Sequence, residues 1–556
     1  MNYLNLTIVS IALAANLAQA ANLKISHDIE NADPASTADV IVQFNQVPTA
    51  AHHKKVTDRG GIHKATLVSA KAGVYSMPVS ALNDLANEPD VLYISPDRKL
   101  RSTLDNTTNA VNAATAWNAG YTGSGIGVAI IDSGVTISND LASSAIVYNQ
   151  SLLGDNQWND LYGHGTHVAG IVAGSGVRSH CNQCFRNLQG LAPGAKIINL
   201  RVLDKNGAGT DSNVIAAIDQ AISLKATYNI RVINLSLGRP VYETYTQDPL
   251  CQAVEAAWKA GIVVVVAAGN NGRLNPSGNN GYGTIMAPGN DPYVITVGAT
   301  NAVDTYTRTD DKMTSYSSKG PTAIDHIVKP DLVAPGNKVV SLYSSQGTLY
   351  NTYSGNGVNL NYFMNNAGDN FSYLYYTLSG TSMATPVVSG AAALLLQAHP
   401  TLTPDQVKAT LMLTAWKGLP KTSTATDPVT GTVYTSQSDA FTVGAGYLDI
   451  AAALANTNTF TGTANSPVAT YNSTSGLTGL VCGSSSICAA SVNSTKTVWG
   501  AASIWGNASI FGSSTVSGDK TVWGAKTVWG ATSVLGDSVT TSDASESVST
   551  TINGEN

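Results

Sequence analysis

Short apolar runs alternate with helical patterns through the middle of this chain, and that alternation restricts its fold more than any other feature. Residues 127–131, 197–202, 232–237, 262–268 and 293–297 are largely β-branched and apolar at consecutive positions, not at every second one. A strand with apolar side chains on both sides must be covered on both faces. Between these runs, residues 164–173, 211–224 and 251–260 show helical patterning, with Asp211 placed to cap the second. Strand and helix in repeated succession predict an α/β unit over residues 106–456, a mostly parallel sheet with helices on both faces.

The chain has 556 residues, more than one ordinary domain needs. Residues 1–20 have the pattern of a secretory signal peptide. An apolar stretch ends in Ala18-Gln19-Ala20, although no Lys or Arg precedes Lys24. Residues 21–100 read as a small α+β unit, with strands at residues 40–44 and 91–94 around a short helix at 80–86. Four of the nine histidines lie there, His27, His52, His53 and His63, and they read as solvated loop residues. Residues 457–494 are a Ser/Thr/Gly-rich linker. Glycines then recur every six residues from Gly500 to Gly536, each two positions after a Val or Ile. An even period keeps the Val or Ile and the Gly on one strand face, so residues 495–536 predict a hexapeptide-repeat β tail. Residues 537–556 are polar and expected to be disordered.

Charge and cysteine usage remove other classes. A net charge of −6 without a long basic run argues against nucleic-acid binding. Five cysteines are too few to build the fold. Cys181/Cys184 and Cys482/Cys488 are spaced for local disulfides, which leaves Cys251 over. Cys181-Asn-Gln-Cys184 lacks a second ligand pair, so zinc is not expected.

Four segments carry chemistry. Ser382 stands in Gly380-Thr381-Ser382-Met383-Ala384, ahead of an apolar small-residue helix. A helix start directs backbone N–H groups and the positive dipole end at a developing anion. A serine hydroxyl needs a base, and Gly163-His164-Gly165-Thr166-His167 offers one. Glycines beside His164 leave room for a substrate, while His167, beside Val168 and Ala169, reads as a core residue. Asp132 follows the run 127–131, at the strand edge where open α/β sheets gather their functional groups. Asn270 follows the run 262–268, and its amide can donate to an oxyanion beside the Ser382 N–H. Taken singly, each has a plain structural role as cap or turn residue. The glycines Gly123, Gly125 and Gly127 precede their strand, which is the wrong order for a dinucleotide site.

In the order Asp, His, Asn, Ser, these segments resemble the four signature blocks of the subtilisin family of serine peptidases. The resemblance covers residues 106–456. It implies a seven-stranded parallel sheet, an acyl-enzyme mechanism with Asp132, His164 and Ser382 catalytic, and Asn270 in the oxyanion hole. It also implies that Gly207-Ala208-Gly209 and Ser236-Leu237-Gly238 hold a polypeptide substrate as an added strand. Ala267, Gly269 and the region of Met286 would wall the pocket for the residue before the scissile bond, with Met286 narrowing it. Residues 21–100 resemble the inhibitory propeptide of the family, so the chain's own front unit is an expected intramolecular inhibitor. No cofactor is expected for catalysis. Residues 175–189, where subtilisins often carry a calcium loop, contain no carboxylate, so a structural calcium has no place assigned to it. Residues 344–375 look like an insertion that edges the cleft. The expectation is a secreted monomeric endopeptidase made as a self-inhibited precursor. The rival is a non-enzymatic surface-anchoring or adhesion protein, whose repeats bind a surface or self-associate.

Overall fold

The computed structural model describes residues 24–556 except 27–28, 30–32, 98, 103–107, 276–278, 304, 306–307, 366, 368–369, 459, 473–476, 482–490, 493–495 and 498–547. The predicted signal peptide, the Cys482/Cys488 pair and nearly all of the hexapeptide repeats lie outside the described residues.

The front unit is an antiparallel sheet in the order β2-β3-β1-β4, built from β1 (Thr37–Phe44), β2 (Ile62–Leu67), β3 (Ala72–Pro78) and β4 (Val91–Pro96). Helices α1 (Ala50–Thr57) and α2 (Leu82–Ala86) accompany it. Strand side chains alternate between faces. Val40, Val42, Tyr75 and Met77 form a core of the unit's own, whereas Ile41, Leu67 and Val74 join the core of the larger domain. Three of the four histidines here are not loop residues, and His27 lies outside the described residues. His52 is buried on α1, its Nδ1 accepting the Thr49 N–H, and the rings of His53 and His63 stand 3.9 Å apart. A short strand β5 (Lys99–Ser102) leads away from the unit.

The large domain is an eight-stranded sheet. Seven strands are parallel: β6 (Gly127–Asp132), β7 (Ile146–Ser151), β8 (Lys196–Arg201), β10 (Ile230–Leu235), β12 (Val263–Ala267), β13 (Ile295–Asn301) and β15 (Leu332–Pro335). Two-residue segments β9 (Gly209–Thr210) and β11 (Leu237–Gly238) lie off the sheet, after β8 and β10. The expected seven-stranded sheet is corrected in one respect. A two-residue strand β14 (Lys312–Met313) pairs antiparallel with β13, and the sheet is mixed. Two residues are too few to leave a periodic signal.

Helices α3 (His164–Ala173), α4 (Asp211–Tyr228), α5 (Pro249–Lys259), α7 (Thr381–Ala398) and α8 (Pro404–Thr414) surround the sheet, and a shorter α6 (Thr348–Thr352) lies in the insertion. Helix α7 is long and apolar enough to cross a membrane, but it is packed inside the core. The side chain of Thr210 caps α4 by accepting the Asn213 N–H, so Asp211, the expected cap, is the first helical residue. The front sheet docks on α4. Asp219 of α4 accepts the N–H groups of Val68 and Ser69 at 3.0 and 3.1 Å. In return Asp97 accepts the Ser212 N–H at 2.6 Å, in the first turn of α4.

Two further expectations change. The linker of residues 457–494 is in part structured: strand Val468–Asn472 pairs with strand Leu477–Val481, and Pro467 and Ala469 bond to Val328 and His326. The disordered stretch expected at 537–556 does not extend over residues 548–556. These form a short helix at 548–553 and pack on the large domain. The Glu555 carboxylate among them is buried against polar partners, which composition alone does not reveal.

Candidate functional site

The parallel strands carry the site at their C-terminal ends, as open α/β sheets do. Asp132 is the last residue of β6 and His164 the first of α3. Both are fully buried, and Asp132 Oδ1 lies 2.6 Å from His164 Nδ1. The same carboxylate oxygen accepts the Ser133 N–H at 2.7 Å. A carboxylate only accepts, so His164 carries its proton on Nδ1 and Nε2 is the basic nitrogen.

His167, one turn further along α3, is different. Burial lowers its pKa well below that of a free imidazole, and its Nε2–H donates to the carbonyl of Tyr376 at 2.9 Å. It is a neutral core histidine, as its apolar neighbours suggested.

Ser382 is the second residue of α7 and is 3% exposed. Gly380, just before the helix, has φ 142°, a conformation that side chains rarely adopt. Ser382 therefore enters the first turn, where N–H groups point out of the helix end. Its carbonyl accepts the Ser236 hydroxyl at 2.7 Å. Asn234 donates to that hydroxyl and is itself held by Ser389 of α7.

Asn270 follows β12. Its Oδ1 accepts both the N–H and the hydroxyl of Thr381, at 2.9 and 3.1 Å. The hydroxyl of Thr381 in turn accepts the Gly269 N–H at 3.1 Å. With Oδ1 engaged there, the amide Nδ2 faces the other way, and it is the donor side of the group.

The two extended segments flank an actual strand. β5 pairs antiparallel with both β9 and β11, giving the order β11-β5-β9. Leu100 is opposite Gly209 and Lys99 opposite Thr210; Arg101 is opposite Gly238 and Ser102 opposite Leu237. Gly207 and Ala208 form the turn before β9, and a Cβ at Gly207 would lie 2.6 Å from the Tyr162 ring. Ser236 precedes β11 and bonds to Ser382 as described. Ala267 ends β12, with Gly269 two residues on. A Cβ at Gly269 would lie 2.7 Å from Met286 Sδ, and one at Gly238 would lie 3.1 Å from Met286 Cβ. Met286 is thus wedged between the two glycines.

Two further residues went unnoticed in the sequence. Asp160 is buried and accepts four hydrogen bonds, from the Ser133 hydroxyl (2.8 Å) and the N–H groups of Tyr162 (3.1 Å), Gly163 (2.7 Å) and Thr166 (2.8 Å). It fixes the turn into α3 and ties it to the loop after Asp132. An acidic residue four positions before His164 is the available signal, as a helix-start acceptor. Arg239, next after Gly238, is buried in ion pairs with Asp211 at 3.0 Å and Asp248 at 2.8 Å, and so supports β11 from behind.

The insertion of residues 344–375 packs on the turn before His164. The N–H groups of Thr348 and Leu349 donate to Leu161 and Tyr162. Cys181 and Cys184 form a disulfide; Cys251 is a buried free thiol. The Asp140 side chain, which faces the Cys181 segment, accepts the Arg178 N–H at 2.7 Å and the Tyr375 hydroxyl. Among the described residues, no group of three or more His, Cys, Asp or Glu is placed to hold a metal.

Comparison with known proteins gives one family. The model of the Subtilase family matches residues 123–446. Serine protease AprX of Bacillus subtilis is 38% identical over 341 residues, covering 59% of this chain and 70% of that protein. Subtilisin E of the same organism is 32% identical over 387 residues, covering 67% and 84%. Among solved structures, fervidolysin from Fervidobacterium pennivorans, described as a keratinolytic enzyme related to subtilisin, aligns with a TM-score of 0.56 at 21% identity. That alignment spans 80% of this chain and 65% of the other, and it carries the fold alone. With the match running through all four segments of the site, the chain belongs to the subtilase family and is a serine-type peptidase.

Proposed function

We propose that this peptidase is a secreted endopeptidase, made as a precursor whose front unit occupies its own substrate cleft. The observation that carries the reading is the order β11-β5-β9, in which the chain lies as the central strand between the two segments expected to hold a substrate. Main-chain pairing on both sides recognises a polypeptide whatever its sequence, so the substrate class is polypeptide and the cut is internal. The docking of β1–β4 on α4 supports residues 21–100 as the inhibitor.

In the proposed mechanism the Ser382 hydroxyl attacks the scissile carbonyl and His164 Nε2 takes its proton. Asp132 holds the ring by Nδ1 and stabilises the imidazolium. Asn270 Nδ2 and the Ser382 N–H stabilise the oxyanion. His164 then protonates the leaving amine, and water, deprotonated by the same nitrogen, releases the acyl group. The reaction calls on no cofactor. The pocket for the residue before the scissile bond is walled by Ala267, Gly269 and Met286, and the Met286 wedge favours small side chains.

A fluorophosphonate probe tests the assignment. It should label the processed protein, and Ser382→Ala should abolish both labelling and casein hydrolysis. Labelling and hydrolysis that survive the substitution would sink it.

A further inference from the structure

Residues 548–556 are bound by side chains that have no part in the catalytic arrangement above. Glu555 is 1% exposed. Its carboxylate accepts the Ser315 N–H at 3.0 Å and the Ser315 hydroxyl at 2.5 Å, and pairs with Arg273 at 3.1 Å. Arg273 is held for this contact by Asp427 and by the Ser315 hydroxyl. The Asn337 amide reads the main chain of the same residue, donating to the Glu555 carbonyl at 2.9 Å and accepting its N–H at 3.0 Å. Asn556 then pairs with Thr426 as a strand would, N–H to carbonyl in both directions. Gly554 has φ 61°, and a Cβ there would lie 2.5 Å from the Ser379 hydroxyl. The Ser379 N–H donates to the Thr551 carbonyl. The residues of this receptor come from five distant parts of the chain, and each makes a bond that a peptide-recognition site makes: main chain read twice, one acidic side chain paired, one glycine required.

We infer that Arg273, Ser315, Asn337 and Thr426 form a second peptide site, outside the catalytic cleft, which takes a Gly-Glu-Asn strand. Its occupant is this chain's own residues 548–556. Pro467 and Ala469 are also bonded to the large domain, through Val328 and His326. The hexapeptide repeats thus lie, in sequence, between two segments that are each fastened to the peptidase. A buried Glu with a guanidinium partner makes the second fastening charge-dependent.

The test uses the full chain carrying Ser382→Ala, to prevent self-digestion, and a thrombin site inserted between residues 540 and 541. After thrombin cleavage, the 541–556 fragment should co-elute with the body in native gel filtration. With Glu555→Lys it should separate. A synthetic peptide of residues 548–556 should displace the fragment, and the same peptide with Glu555→Gln should need at least about tenfold more. Competition runs on the unaltered body, so it stands even where Glu555→Lys prevents folding. A fragment that leaves the body in the unsubstituted protein overturns the site. Equal displacement by the two peptides overturns the role of the carboxylate.

Discussion

The side-chain oxygen of Asn270 accepts the backbone N–H of Thr381 at 2.9 Å, so the group proposed to steady the oxyanion also grips the residue before the nucleophile. The two duties separate by substitution. Asn270→Ala loses both and should lower kcat by about a hundredfold, roughly 3 kcal/mol, with KM little changed. Asn270→Asp keeps an acceptor for Thr381 but offers no donor to an oxyanion. It should be as slow as the alanine variant while melting closer to the parent. Steady-state kinetics on a peptide anilide, with melting curves beside them, decide the matter.

Asp160 spends its carboxylate on four donors of its own chain, so it is a positioning residue. Asp160→Ala strands buried N–H groups and should destabilise the fold by about 3 kcal/mol. It should also reduce kcat more than it raises KM, because the turn carrying His164 loosens. Asp160→Asn retains one acceptor oxygen and should recover part of each loss. A stable Asp160→Ala protein of full activity would contradict this.

Met286 lies against Gly238 and Gly269. Met286→Ala should open the pocket, raising kcat/KM for Phe over Ala before the scissile bond by about tenfold. A cleavage profile on a peptide library, parent against variant, reads this directly.

Asp219 fastens the front unit through two N–H groups. In the Asp219→Ala precursor those groups lose their acceptor, and the front unit should be lost about tenfold faster. A gel time course of the precursor band measures it.

Burial raises the Asp439 carboxyl to about 6, and the Tyr282 hydroxyl donates to it at 2.5 Å. An unfolded aspartate titrates at ~3.9. Between those values the folded chain keeps a proton that the unfolded chain has released. The contribution to stability is therefore present at acid pH and declines as pH rises through that window. Asp439→Asn removes the titration while leaving an acceptor for the Phe441 N–H. In the Ser382→Ala background it should gain on the order of 2 kcal/mol at about pH 8 and nothing at about pH 4. Thermal midpoints taken across that range check the sign.

The sheet was legible because buried parallel strands leave unbroken apolar runs, as in the Val263–Ala267 strand. Asp132, His164, Asn270 and Ser382 were legible only together: singly each reads as a cap or turn residue, and it is the four segments in that order that resemble the signature blocks of the family. Asp160 was not, since its role is exercised across a loop and an Asp in a loop looks like any turn residue. Glu555 was hidden for a related reason. A polar stretch carries no periodic signal, and its order comes from Arg273, Ser315 and Asn337, remote in sequence. Strand β14 escaped on length alone, because its two residues, Lys312 and Met313, have no period to detect.

Strand β5 joins the front unit to the peptidase within one chain, already lying in the groove between β9 and β11. A first cut beyond it would be a unimolecular event. Its rate would be set by the geometry of the tether and would not change on dilution. Escape of the severed unit, by contrast, is an equilibrium that dilution favours. With the front unit as the inhibitor proposed above, the concentration of the protein would control when activity appears without controlling when the chain is cut.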